Sequence, residues 1–176
     1  EQIILSKVAG TTSINSVSFE SESGDSSKVI LSYSANVTNN YTLQLNGAEY
    51  IAFKKLTIRA TNANYGNVVE IKNKSNHNTF LHCILTSVSD NDAIINSTDP
   101  GNNYNSFINN QIVKNNYGIY YTGSDKGIII ENNIFENQKY SPIVISFQDS
   151  IIVRKNSVST NSVNPGFCAV LCNSCY

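Results

Sequence analysis

Three carboxylic acids stand where they could act together. Asp90 and Asp92 share the run Ser-Asp-Asn-Asp-Ala (89–93), and Glu70 lies some twenty residues earlier. Glycoside hydrolysis needs two carboxyl groups about 5–10 Å apart, one of them held protonated. Two acids in one loop and a third one repeat away are compatible with that chemistry. The simpler reading of the same residues is solvated loop acids beside a turn. A lyase needs instead a base near the substrate α-proton, commonly with Ca²⁺, which takes about six to eight oxygen ligands. The acids here are scattered singly, and Arg59 and Arg154 belong to other faces of the repeat. Ca²⁺ therefore enters only under a lyase alternative, and otherwise no cofactor is expected.

Tyrosines make a different kind of surface. Tyr65, Tyr117, Tyr120 and Tyr140, with Lys139, could form a track along one side of the molecule. Aromatic faces stack on sugar rings while the phenol stays wet; the same rings could equally shield loop backbone. His82 and His77 are five residues apart and make no metal pair by themselves. Cys168, Cys172 and Cys175 read Cys-x-x-x-Cys-x-x-Cys. That spacing matches an iron–sulfur motif of enzymes that use S-adenosylmethionine, but no α/β-barrel sequence follows it. A disulfide between two of the three, or a disordered tail, is the plainer reading.

What must position these residues is a repeat. Around Lys126 to Asn137 the chain reads apolar-x-apolar-x-x-Asn-x-apolar. Ile130 has counterparts at Phe53, Phe80, Phe107 and Val153, in steps of 27, 27, 23 and 23 residues. Three residues after each comes Leu56, Cys83, Asn110, Asn133 and Asn156, and five after comes Ile58, Leu85, Ile112, Phe135 and Val158. A second pair recurs between these units: Leu43/Leu45, Val69/Ile71, Ile94/Asn96, Ile119/Tyr121 and Ile143/Ile145. Helical periodicity is absent. A period in this range with strand-type alternation inside each unit signals a solenoid. Three short strands per unit, each pairing with its copy one unit along at about 4.8 Å, make an all-β parallel β-helix with three parallel sheets. About six to seven coils are expected, right-handed by the bias of parallel crossovers.

On this reading the outward residues of the first sheet are Gln44, Glu70, Ile95, Tyr120 and Val144. Cys83 becomes a buried free thiol. Asn110, Asn133 and Asn156 become an inward amide ladder that satisfies backbone groups at the corner. The whole chain forms one β-helix domain, with residues 1–40 an irregular first coil, 41–158 regular coils and 159–176 an incomplete last coil. With the stop in mid-coil, the expectation is a fragment of a longer natural polypeptide or an altered end.

Composition narrows the function classes. Net charge is −1 and 14% of residues are charged, so there is no electrostatic case for nucleic acid or an anionic membrane. No apolar run reaches the roughly 20 residues of a spanning helix. The 27 asparagines suit tight corners and stacked side-chain ladders rather than helices.

The segments 105–113 (Asn-Ser-Phe-Ile-Asn-Asn-Gln-Ile-Val) and 128–135 (Ile-Ile-Ile-Glu-Asn-Asn-Ile-Phe) resemble right-handed parallel β-helix repeats of the pectin-lyase-like superfamily. Residues 24–29 and 45–56 look similar to β-helix regions of large secreted bacterial surface proteins. The resemblance implies a secreted or cell-surface location and a carbohydrate groove along the first sheet. It implies no single activity, since a fold hosts many. The adjacent Asp pair with flanking glycine and the Gly-His-Gly of polygalacturonases are missing here. The expectation is a non-catalytic scaffold or module for carbohydrate binding and adhesion, with polysaccharide or surface glycan as partner and Tyr65, Tyr117, Tyr120, Lys139 and Tyr140 as the contact. The alternative is a lyase or glycoside hydrolase for acidic polysaccharide using Glu70, Asp90 and Asp92.

Overall fold

Short alternating segments bounded by Asn, Gly and Ser cannot bury an apolar face alone, so they stack. The computed structural model describes residues 2–176 and contains strands, turns and no helix. An irregular first turn holds β1 (Ile3–Ser6), β2 (Val17–Glu20) and β3 (Ile30–Tyr33). Regular coils follow as β4 (Leu43–Asn46), β5 (Ile51–Lys54) and β6 (Thr57–Ala60); β7 (Val69–Lys72), β8 (Thr79–Leu81) and β9 (Ile84–Ser87); and β10 (Ala93–Ser97), β11 (Ser106–Ile108) and β12 (Gln111–Val113). Two more coils are β13 (Tyr117–Tyr121), β14 (Ile129–Glu131) and β15 (Ile134–Glu136), then β16 (Ser141–Ser146), β17 (Ile152–Arg154) and β18 (Ser157–Ser159), with β19 (Val170–Asn173) opening another.

Every ladder is parallel, and each strand pairs with its copy in the next coil. One sheet has the order β1-β4-β7-β10-β13-β16-β19, the second β2-β5-β8-β11-β14-β17 and the third β3-β6-β9-β12-β15-β18. This is a parallel β-solenoid. Its regular part makes about five turns, fewer than the six to seven expected, because the first turn is opened by long excursions and the last holds only β19.

The interior is a set of columns. Phe19, Phe53, Phe80 and Phe107 stack ring on ring at 5.3, 5.0 and 5.6 Å, and Ile130 and Val153 continue the column in register. Two sharp bends flank each strand of the second sheet. Before it, Tyr50, His77, Tyr104, Gly127 and Ser150 all have positive φ; after it, so do Lys55, His82, Asn109, Asn132 and Lys155. A non-glycine residue there costs about 1–2 kcal/mol. Asparagines one position beyond the second bend offset that cost. Asn110 N–H donates to Asn133 Oδ1 at 2.9 Å, and Asn133 N–H to Asn156 Oδ1 at 2.9 Å. Each amide Nδ2 also reaches back to a backbone carbonyl, Phe80 O, Phe107 O and Ile130 O, at 2.8–2.9 Å. Cys83 closes the ladder, its N–H on Asn110 Oδ1 and its buried thiol on Phe53 O.

One register differs from the sequence expectation. β10 pairs Ile95 with Val69 and Ile119, and Asn96 with Glu70 and Tyr120. Ile95 is therefore buried inside and Asn96 is the outward residue, the reverse of the alternation read from Ile94/Asn96. Three apolar residues in a row, Ala93-Ile94-Ile95, leave the phase open to alternation, and packing decides it. Ser97 then falls beside Tyr121, a small residue against a large buried one. The Tyr121 hydroxyl accepts from Asn105 Nδ2 at 2.9 Å and donates to Asn102 O at 3.3 Å.

Candidate functional site

The outer side of the first sheet gathers an aromatic group. Tyr117 and Tyr120 both belong to β13, and their rings lie 5.1 Å apart and tilted by 46°. Tyr140 arrives one coil later, where its N–H donates to Asn116 O at 3.0 Å. That pairing sets its ring 6.0 Å from Tyr117 with an interplanar angle of 28°. Lys139 Nζ stands 5.5 Å from the centroid of the Tyr140 ring, within cation–π range. All three tyrosines are half-buried and Lys139 is exposed. Lys139 also lines a cavity of about 520 Å³ whose walls include Asp90, Lys114, Asn137 and the loop 160–165. Tyr65, half-buried in the loop before β7, joins none of these ring pairs.

The three acids do not converge. Glu70 projects from β7, takes a hydrogen bond from Gln44 Nε2 and has Lys72 Nζ at 3.9 Å. It lines a separate groove of about 410 Å³ with Tyr41 and the loop 37–40. Asp92 is engaged in a turn, its Oδ2 accepting from Gly66 N–H at 2.6 Å and its own N–H bonded to Asn115 Oδ1. Asp90 is exposed on the wall of the larger cavity. The cavity that holds Asp90 and the groove that holds Glu70 share no lining residue. Ring faces beside an ammonium group can stack on and hydrogen-bond a polyhydroxylated ligand.

Two further ladders escape a reading based on apolar alternation. Tyr50, His77 and Tyr104 stack on the outside, with centroids 4.7 Å apart at both steps and planes within 9°. Lys126 Nζ caps the stack 5.9 Å from the Tyr104 ring. A Cβ on Gly127 would sit 2.3 Å from that ring, so the glycine is what lets the stack lie down on the next coil. The signal was available: these three residues repeat at the same 27-residue step as Phe53, Phe80 and Phe107. The second ladder is polar and buried. Ser75 N–H donates to Asn102 Oδ1 and Asn102 N–H to Asp125 Oδ1, at 2.9 and 2.7 Å.

Asp125 is only 3% exposed and its Oδ2 has no partner; Gln148 Oε1, one coil on, has none either. In the preceding coil the amide Nδ2 of Asn102 donates to Ile71 O, Asp99 O and Ser97 Oγ. Asp125 places an acceptor where the ladder calls for a donor. Burial pushes its carboxyl up, and the nearby Asp99 charge adds to this, against the lowering effect of the backbone hydrogen bond from Asn102. Tyr121, which feels Asp125, is pushed up mainly by its complete burial. Among the described residues no group of three His, Cys, Asp or Glu side chains is placed to hold a metal ion, and no helix is long and apolar enough to cross a membrane.

No protein family model, no curated protein and no solved structure matches the chain. Fold and surface together define a class: a parallel β-helix carrying a tyrosine–lysine face on its first sheet.

Proposed function

We propose that this chain is a non-catalytic β-helix module of an extracellular or cell-surface protein, and that its tyrosine–lysine face contacts carbohydrate. The observation that carries this reading is the convergence of Tyr117, Tyr120, Tyr140 and Lys139 on one face, beside a cavity wide enough for sugar units. The dispersal of the acids supports it: Glu70 is engaged by Gln44 and lines a separate groove, Asp92 is engaged by Gly66, and Asp90 stands without either of them on the wall of the cavity that Lys139 lines. The likeness of its repeats to the pectin-lyase-like superfamily and to bacterial surface proteins supports the location. A long, rigid stack of coils also suits a spacer that holds a binding face away from a surface.

The test is a glycan array together with turnover of pectin, alginate and chondroitin, followed at 235 nm and by reducing ends. The expected result is glycan retention without turnover. Tyr140→Ala and Tyr117→Ala should each weaken retention by roughly fivefold, the loss of one aromatic contact of about 1 kcal/mol. Turnover abolished by Asp90→Asn would replace this reading with that of a polysaccharide lyase or hydrolase.

A further inference from the structure

The three cysteines of the Cys-x-x-x-Cys-x-x-Cys run occupy different places. β19 pairs with β16 so that Cys172 lies against Ile145. Ile145 belongs to the inward column of Leu45, Ile71, Ser97 and Tyr121. Cys175 continues the buried polar ladder instead. Tyr176 N–H donates to Gln148 O at 2.9 Å, as Asp149 N–H donates to Asp125 O at 2.9 Å in the coil before. Cys175 therefore stacks on Gln148. Its thiol lies 3.4 Å from Asn173 O in its own segment and 3.7 Å from Ile145 O, the place that Asn102 Nδ2 takes on Ile71 O, and its side chain packs against the core.

Between the two cysteines Ser174 has φ 50°. This is the corner seen at Phe80–His82–Cys83: an inward residue, a left-handed residue two positions on, and a second inward residue one further. At that earlier corner the side chains at i and i+3, Phe80 and Cys83, both face the inside of the tube. The neighbouring Cys175 thiol pushes Cys172 up. Cys168 is outside this arrangement. It is exposed, its N–H is held by Tyr140 O, and its thiol turns to Val170 O in its own segment at 3.1 Å.

We propose that Cys172 and Cys175 are a disulfide-forming pair that clasps the last corner of the solenoid, and that Cys168 takes no part. The oxidant is a low-molecular-weight disulfide of the glutathione class. The exposed Cys172 thiolate attacks one sulfur of the small disulfide and releases one small thiolate. The Cys175 thiolate then attacks the Cys172 sulfur of the mixed disulfide and releases the second. Two thiol protons go to solvent, two electrons go to the small disulfide, and one S–S bond is exchanged for another. The closed ring spans four residues, so its effect on the unfolded chain is small. Its effect is local, on a strand that has a sheet partner only in β16 among the described residues.

The experiment equilibrates the full chain in a glutathione redox buffer, folded and in urea, then alkylates it and digests it with chymotrypsin. Cleavage after Phe167 and Leu171 separates residues 168–171 from 172–176. Expected is a 172–176 peptide lighter by two hydrogens and unalkylated, with Cys168 alkylated. The ratio of oxidised to dithiol peptide should be about tenfold higher for the folded chain, equivalent to roughly 30 mV. Cys168→Ser should leave that ratio unchanged, and Cys172→Ser should leave Cys175 alkylated. Equal ratios in the folded and urea-unfolded chain, or Cys168 found in the bond, would overturn the proposal.

Discussion

Asn133 serves three coils at once. Its Oδ1 takes the Asn110 N–H, its N–H goes to Asn156 Oδ1, and its Nδ2 goes to Phe107 O. Asn133→Ala strands a buried donor and a buried acceptor, and should cost about 1–3 kcal/mol in urea unfolding. Equal midpoints for parent and variant would remove the ladder from the account of stability. Asp125 makes the opposite case, a ladder position filled by the wrong chemistry at neutral pH. Its carboxyl is pushed up by burial, so the native state holds its proton more tightly than the unfolded chain. Its contribution is present below the unfolded value of about 3.9. It is lost as pH rises through the folded value. Asp125→Asn restores the amide donor seen at Asn102. The variant should be more stable than the parent by about 1–3 kcal/mol at pH 7, with the gap closing toward pH 4. A gap constant across that range would show that Asp125 titrates normally.

Elements matter here as columns rather than as single strands. The second sheet gives the interior its aromatic spine, and Phe80 sits between Phe53 and Phe107 with no exposure. Phe80→Ala should cost about 3–5 kcal/mol, read as a fall in the denaturation midpoint without a change in slope. The same columns show what was legible beforehand. The phenylalanines, the inward asparagines and the isoleucines of the third sheet share one spacing, and spacing can be counted in one dimension. The register of β10 could not be counted. Ala93-Ile94-Ile95 fits either phase, and only the packing of Ser97 beside Tyr121 puts Ile95 inside and Asn96 out. The outward ladder of Tyr50, His77 and Tyr104 was countable too, but a search for apolar alternation passes over a histidine between tyrosines.

At the scale of the molecule, stability is close to a sum over neighbours, since each strand pairs only with its copies in the coils before and after. Excising residues 109–131 removes one coil and joins Ile108 to Asn132, so that Asn133 takes the place of Asn110 under Cys83. The shortened chain should still fold, with a single transition and a denaturant slope lower by roughly a tenth to a fifth, in proportion to the surface lost. Failure to fold would mean that coils are not interchangeable and that the 23-residue step is not the structural unit.

The residues alone determined that this chain is a tube of stacked three-strand coils. Columns of like side chains need only equal spacing along the sequence, and equal spacing is written there. Which surface residues meet was decided by the tertiary structure. Tyr117, Tyr120 and Tyr140 come together while Glu70 and Asp90 part, and Cys172 and Cys175 both fall on inner columns while Cys168 stays outside. The reason is geometric. Inward positions are held in register by the ladder above and below, whereas outward positions depend on where each loop of a different length leaves and rejoins the tube.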